Sequence, residues 1–378
     1  MMENKQPQAR VLAYYLPQYH PTPENDAWWG KGFTEWTHVG KAKPLFPGHY
    51  QPRVPADLGY YDLRLPEIRE AQAQMARDNG IEGFIYYHYW FGHGKRMLQK
   101  PFEDVLFSGK PDFPFALAWA NDSWSSTMHG LRKGETLMEQ TYPGDDDYLE
   151  HFNTVLPAFK DQRYITCEGK PIFMIYLPES MPDMKHFIDY WQALALSNGL
   201  KGIYFIAFSI SRFTKIETSA FYAKMMELGF DAVVFENMQP PRTTIPFLKR
   251  CILKLNRALL HWPLLFYYND KYFAPDICWQ EQNAFPTVIP NWDHTPRSGS
   301  RGSVMLCSSP EKFQKTMHMM IERLQTKAYD NRFLFIKSWN EWGEGNYLEP
   351  DTQYGHRWLD AVKNEVYSLA ELNKVFFE

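Results

Sequence analysis

Two glutamates, Glu341 and Glu344, stand three residues apart in the segment Trp339-Asn-Glu-Trp-Gly-Glu-Gly345. In an extended strand, residues at that spacing face opposite sides. In a tight or helical turn they become neighbours, with Cβ atoms roughly 5–6 Å apart. Gly343 and Gly345 make such a turn accessible. Two carboxyls brought together this way suit acid/base work on an acetal, provided their environments push their pKa values apart. Trp339 and Trp342 can strip water from one of them and raise its pKa. A separation of roughly 5 Å fits retention of configuration, whereas inversion needs roughly 6.5–9.5 Å.

The pair follows Phe333-Leu-Phe-Ile336, a short apolar run of the kind that forms an interior parallel strand. Seven further runs of this type occur at 10–15, 83–87, 115–120, 171–176, 202–208, 231–235 and 286–290. Amphipathic stretches at 66–79, 146–159, 184–197, 219–228 and 310–327 predict helices between most of them. Eight strands alternating with helices predict an α/β fold, a (β/α)8 TIM barrel with long βα loops, filling 1–378 as a single catalytic domain. The longest loop, 16–65, is expected to be functional because of its length.

Such barrels carry their chemistry where strands end. Here the strand ends are rich in polar and aromatic residues. Aromatics make up 17% of the chain, with 13 Trp and 23 Tyr, and such rings offer flat apolar faces with polar tips for sugars. Tyr14, Tyr15, Gln18, Glu35, Trp36, Tyr87, His88, Trp90, Trp119, Asn121, Trp124, Trp292, Asp293 and Asn340 form the candidate substrate-binding set. Taken singly, each reads equally well as packing. His88, His93, Asp293 and His294 match no metal-ligand spacing, so neither metal nor cofactor is expected. Arg297-Ser-Gly-Ser-Arg-Gly-Ser303 reads either as a flexible loop or as a cradle for a phosphate or an acidic sugar.

A net charge of −4 gives no reason to expect nucleic acid. The four cysteines are far apart and read as reduced thiols. No apolar leader opens the chain, and no run approaches the roughly 18 apolar residues of a membrane span. The expectation is a cytoplasmic protein. Segment 242–268 carries Arg242, Lys249, Arg250, Lys254 and Arg257, followed by Trp262 and further aromatics. It reads first as a barrel helix with a solvated basic face. Its second reading is a weak contact with an anionic membrane surface, peripheral to the inner membrane.

Longer motifs carry a resemblance. Val11-Leu-Ala-Tyr-Tyr-Leu-Pro-Gln-Tyr-His-Pro21, Gly83-Phe-Ile-Tyr-Tyr-His-Tyr-Trp-Phe91 and Trp339-Asn-Glu-Trp-Gly-Glu-Gly345 with Glu349-Pro350 resemble the WbsX-type family of bacterial polysaccharide loci. That family is often labelled glycosyltransferase, yet it is similar to glycoside hydrolase family 99, the endo-α-mannosidases and mannanases. The resemblance implies a retaining (β/α)8 hydrolase of α-linked, mannoside-like sugars. It implies Glu341 as base toward the sugar's own 2-hydroxyl and Glu344 as acid/base. Trp119-Ala-Asn-Asp-Ser-Trp124 departs from the expected Trp-Ala-Asn-Glu-Asn-Trp by a shorter acid, which bears on substrate identity. The alternatives are a glycosyltransferase or transglycosylase of O-antigen or capsule synthesis, and an inactive glycan-binding barrel. Asp145-Asp-Asp147 holds the letters of a nucleotide-sugar motif, but it reads better as the acidic start of a helix.

Overall fold

The computed structural model describes residues 7–126, 134–209, 215–238 and 259–375. Eight apolar strands form its centre: β1 (Arg10–Tyr15), β2 (Gly83–Trp90), β3 (Phe115–Trp119), β4 (Lys170–Ile175), β5 (Tyr204–Ser209), β6 (Ala232–Phe235), β7 (Ala284–Val288) and β8 (Phe333–Ile336). All eight pairings are parallel. The ring closes where β1 pairs with both β2 and β8, with Ala13 opposite Phe84 on one side and Ile336 on the other. The expected TIM barrel is present.

Helices cover the outside because their apolar stripes need the barrel wall. Among the described residues, those of seven residues or more are α1 (Pro23–Trp29), α2 (Glu35–Lys41), α3 (Pro66–Asp78), α4 (Lys100–Ser108), α5 (Asp145–Phe159), α6 (Met184–Ser197), α7 (Lys215–Glu227), α8 (Pro310–Leu324) and α9 (Arg357–Val375), of which α1 and α2 belong to the 16–65 loop and α2 packs on the turn after β8. The eighth shows the logic. Ser309 caps it by accepting from the Lys312 amide, and Pro310 opens it, where a missing N–H costs nothing. Phe313, Met317, Met320, Ile321 and Leu324 then fall on one buried stripe. Each such side chain contributes about 1.5–3 kcal/mol by leaving water.

The 16–65 loop contains α1 and α2, which the strand-and-helix pattern did not anticipate. The second strand also runs three residues beyond its expected end at 87. His88, Tyr89 and Trp90 therefore lie within a strand, not after it. All eight of its residues are buried, so both faces are packed and no polar residue marks its end. Most of segment 242–268, including its five cationic residues, lies outside the described residues. Among the described residues no helix is long and apolar enough to cross a membrane.

Candidate active site

The segment after β8 folds back on itself. Asn340–Glu341 pairs antiparallel with Asn346–Tyr347, and Trp342–Glu344 makes a single 3-10 turn between them. Gly345 closes the turn at φ +60°, where a Cβ would lie 2.7 Å from that of Asp293. At Gly343 a Cβ would lie 1.7 Å from Glu35 Oε1. Both glycines are therefore demanded by close approach as well as by the turn.

Several side chains fix this turn. Asn340 closes two hydrogen bonds on the Leu16 backbone, accepting from its N–H at 2.8 Å and donating to its carbonyl at 3.1 Å. The eighth strand's loop is thus tied to the first. The Glu341 amide donates to Ser338 Oγ at 3.0 Å. Trp342 Nε1 donates to Glu349 Oε2 at 2.7 Å, and the Trp342 ring stacks on Tyr347 at 3.7 Å. Glu349 also accepts from Gln72 and Tyr61. Burial pushes its carboxyl up to about 7.

Glu341 and Glu344 face a cleft of about 240 Å³ at the C-terminal mouth of the barrel. Arg297, from the short helical turn after β7, spans the acids. Its Nε donates to Glu35 Oε1 at 2.7 Å. Its Nη1 donates to Glu344 Oε1 at 2.7 Å and to Glu341 Oε1 at 3.3 Å. The loop that read either as flexible or as an anion cradle spends its first arginine on three internal carboxylates. Burial, reinforced by the neighbouring Glu344 charge, pushes Glu341 up to about 7. His294 Nε2 lies 3.5 Å from Glu344, and burial beside Arg297 pushes that imidazole down to about 4, so it is neutral at pH 7. Lys337, directly after β8, also lines the cleft, and its ammonium donates to Glu236 Oε1 at 2.8 Å.

Of the predicted set, Gln18, Tyr87, Trp124, Glu341 and Glu344 line the cleft together. Glu35 sits directly behind it, fully buried, on Arg297. The others are placed elsewhere. Tyr15 points outward to Gln72 of α3 at 2.6 Å. Trp36 donates to the Tyr61 carbonyl and packs on Trp342. His88 meets His151 of α5 at 2.8 Å, and burial holds its imidazole down at about 3. Trp90 donates to Asp147 and stacks on His151. Trp119 donates to the Trp90 carbonyl. Asn121 clamps the backbone of Leu177 through both ends of its amide. Trp292 donates to Ser303 Oγ. Asp293 accepts from His49, Gln51 and Thr295, and its amide donates to the Glu344 carbonyl at 2.6 Å. Asn340 is the clamp already described. Tyr14 lies inside the barrel, where its ring packs on Phe208 and Phe335.

Tyr89, Asp122, Tyr176, His294, Arg297 and Lys337 line the cleft without having been in the predicted set. Tyr89 had a usable signal, its spacing of two from Tyr87 on one strand. Among the described residues no group of three or more His, Cys, Asp or Glu side chains could hold a metal ion.

The fold and this turn define a (β/α)8 barrel with a glutamate pair at its C-terminal mouth. The chain belongs to the Glycosyltransferase WbsX family, which it matches over residues 11–362. The uncharacterized protein WxcX of Xanthomonas campestris pv. campestris is 35% identical over 358 residues, covering 94% of this chain and 49% of that protein. The chain thus spans about half the length of the curated relatives it matches. A glycoside hydrolase-like protein superposes with a TM-score of 0.58 at 14% identity, covering 97% of this chain and 96% of that one. The GH99 endo-alpha-mannosidase of Bacteroides thetaiotaomicron does so at 0.56 and 14% identity, covering 98% and 99%. At that identity the likeness is one of fold.

Proposed function

We propose that the protein is a carbohydrate-active enzyme, a retaining glycoside hydrolase of α-linked, mannoside-like sugars in a bacterial surface polysaccharide. One observation carries this reading: Glu341 and Glu344 share a single guanidinium nitrogen at the barrel's mouth. The two bonds, 3.3 Å and 2.7 Å, together cap the separation of those oxygens at about 6 Å. That is short of the roughly 6.5–9.5 Å an inverting pair needs to seat a water. Tyr87, Tyr89, Trp124 and Tyr176 supply apolar faces with polar tips around the pair.

In the proposed reaction Glu341 takes the proton of the 2-hydroxyl as that oxygen attacks the anomeric carbon. The glycosidic bond breaks as Glu344 gives its proton to the leaving oxygen. Water then opens the 1,2-anhydro ring at the anomeric carbon; Glu344 takes the water's proton and Glu341 returns its own to the 2-oxygen. A carboxyl held near 7 is well matched to a base working at neutral pH.

The second reading, sugar transfer, is favoured by the family's own name. It requires only that an acceptor hydroxyl replace water in the second step. A nucleotide diphosphate donor is disfavoured, because the charges of both lining cations are already balanced by glutamates, leaving no net positive charge for a diphosphate. Asp145–Asp147 forms the first turn of α5, as expected of a helix start. An inactive glycan-binding barrel would not need the glutamate pair. Mass spectrometry of α-linked bacterial oligosaccharides incubated with the protein separates these outcomes. New reducing ends support hydrolysis, and lengthened chains support transfer. Retention of either activity by Glu344→Gln would overturn the assignment.

A further inference from the structure

Lys337 and Glu236 form a buried ion pair at the ends of β8 and β6, with side chains 6% and 1% exposed. A buried pair is weak as a source of stability, because removing both charges from water costs about as much as their attraction returns. Its placement is more telling. Lys337 lines the cleft with Glu341 and Glu344, whereas its buried partner Glu236 does not. Besides its bond to Glu236 the ammonium lies 5.4 Å from the centre of the Trp292 ring, and no other hydrogen bond of it is found among the described residues, so N–H capacity remains for a ligand. Glu236 Oε2 is likewise buried without a partner among them. Burial opposes the ammonium form, and the charges of Glu236, Glu344 and Glu341 outweigh it. Glu341 in turn faces Glu344, Arg297, Lys337 and Glu35, and Glu236 faces Lys337 and Glu341. Arg297 differs in that its Nε and Nη1 already bind three carboxylates.

We propose that Lys337 is a further functional side chain of the cleft, donating from its ammonium to a sugar oxygen beside the glutamate pair, with Glu236 as the residue that positions it. The sugar contact rests on the carbohydrate reading above. The charge arrangement does not, and the two are tested separately.

The first test follows the Glu341 carboxyl by 13C NMR in protein labelled at glutamate carboxyls, with the signal identified by its loss in Glu341→Gln. Lys337→Met removes a positive charge and should raise the titration midpoint by roughly half a pH unit or more. Glu236→Gln removes a negative charge and should lower it. Lys337→Arg should leave it close to wild type. Shifts of equal sign, or none, overturn the charge arrangement, because a pair beyond electrostatic reach of Glu341 would not move it in opposite directions; the binding test below then separates a ligand contact from a purely structural pair. If Lys337→Met folds poorly, Glu236→Gln carries the sign test alone. The second test titrates an α-linked manno-oligosaccharide into Glu344→Gln by calorimetry. Adding Lys337→Met should weaken binding at least about tenfold, and Lys337→Arg should restore part of it. Unchanged affinity overturns the sugar contact. Absence of binding in Glu344→Gln itself overturns the carbohydrate reading and the contact with it, and leaves the NMR signs to judge the charge pair.

Discussion

The two faces of β2 carry similar residues with opposite fates. Tyr87 and Tyr89 point into the cleft. His88 and Trp90 point outward to α5, where His88 meets His151 and Trp90 meets both His151 and Asp147. The outer cluster pairs its polar atoms internally: imidazole on imidazole, indole on carboxylate. The cleft does the reverse. It packs Glu341, Glu344 and Glu35 around one arginine and leaves Glu341 Oε2 and Glu344 Oε2 without hydrogen-bond partners among the described residues. Buried polar groups are normally satisfied. In the cleft these two oxygens are free to accept from a ligand, whereas the polar atoms of the outer cluster are already committed to one another. Residue type does not separate these cases; strand parity does.

The contrast breaks most directly at the glutamates. Glu341→Gln and Glu344→Gln should each slow turnover by about 10²–10⁴-fold, the usual worth of a positioned acid or base. Each should keep a melting temperature near wild type, since an isosteric amide removes buried negative charge. Steady-state rates alongside thermal melts check both halves. Near-normal turnover in either variant would return the cleft to the same category as the outer cluster.

Arg297→Met should cost both activity and stability. It leaves three carboxylates buried without their shared cation, and breaking a buried ion pair typically costs about 3–5 kcal/mol. Urea unfolding measures it. The loss should shrink at acid pH, where the glutamates take up protons. On the outer face, Trp90→Phe removes the donor to Asp147 Oδ2. It should cost about 1–3 kcal/mol of stability for the unpaired acceptor while leaving turnover within about twofold. A large catalytic defect there would blur the division between the faces.

The parity itself was hard to read. Eight apolar runs separated by helical periods were enough for the barrel, and a glycine-flanked polar cluster after the last run was enough for the glutamate pair. A strand packed on both sides shows no alternation of polar and apolar residues. With every residue of β2 buried, polarity does not mark His88 as outward; only the period of two from Tyr87 puts Tyr89 inward, and that requires the strand to run past its expected end at 87. Arg297 was hidden for a different reason. Its three acceptors lie 262, 44 and 47 residues away along the chain, and only the closed barrel brings the 16–65 loop, the β7 turn and the β8 turn together. Glycines beside two arginines resemble an anion cradle until the carboxylates that fill it are seen.

The most gradual effect concerns pH, and here the two regions should move stability in opposite ways. Glu341 is held at about 7 by burial and by Glu344, against an ordinary 4.5. Between these values the folded protein holds a proton that the unfolded chain has released. Stability should therefore fall as pH rises through that window, by up to about 1.4 kcal/mol per pH unit from this group. Activity should rise through the same window if Glu341 must be ionised to act, gaining up to about tenfold per pH unit and levelling above about 7. The outer His88, pushed down to about 3 by burial, stays neutral in the folded protein over this range, while the unfolded imidazole takes up a proton below about 6.5, so stability from this group should rise with pH up to there. Denaturant melts from pH 5 to 8 on wild type and Glu341→Gln isolate the contribution, because Glu349 is held at a similar value and persists in both. A difference that stays flat across the window would mean that Glu341 is ionised well below 7, and that Arg297 outweighs burial at this site.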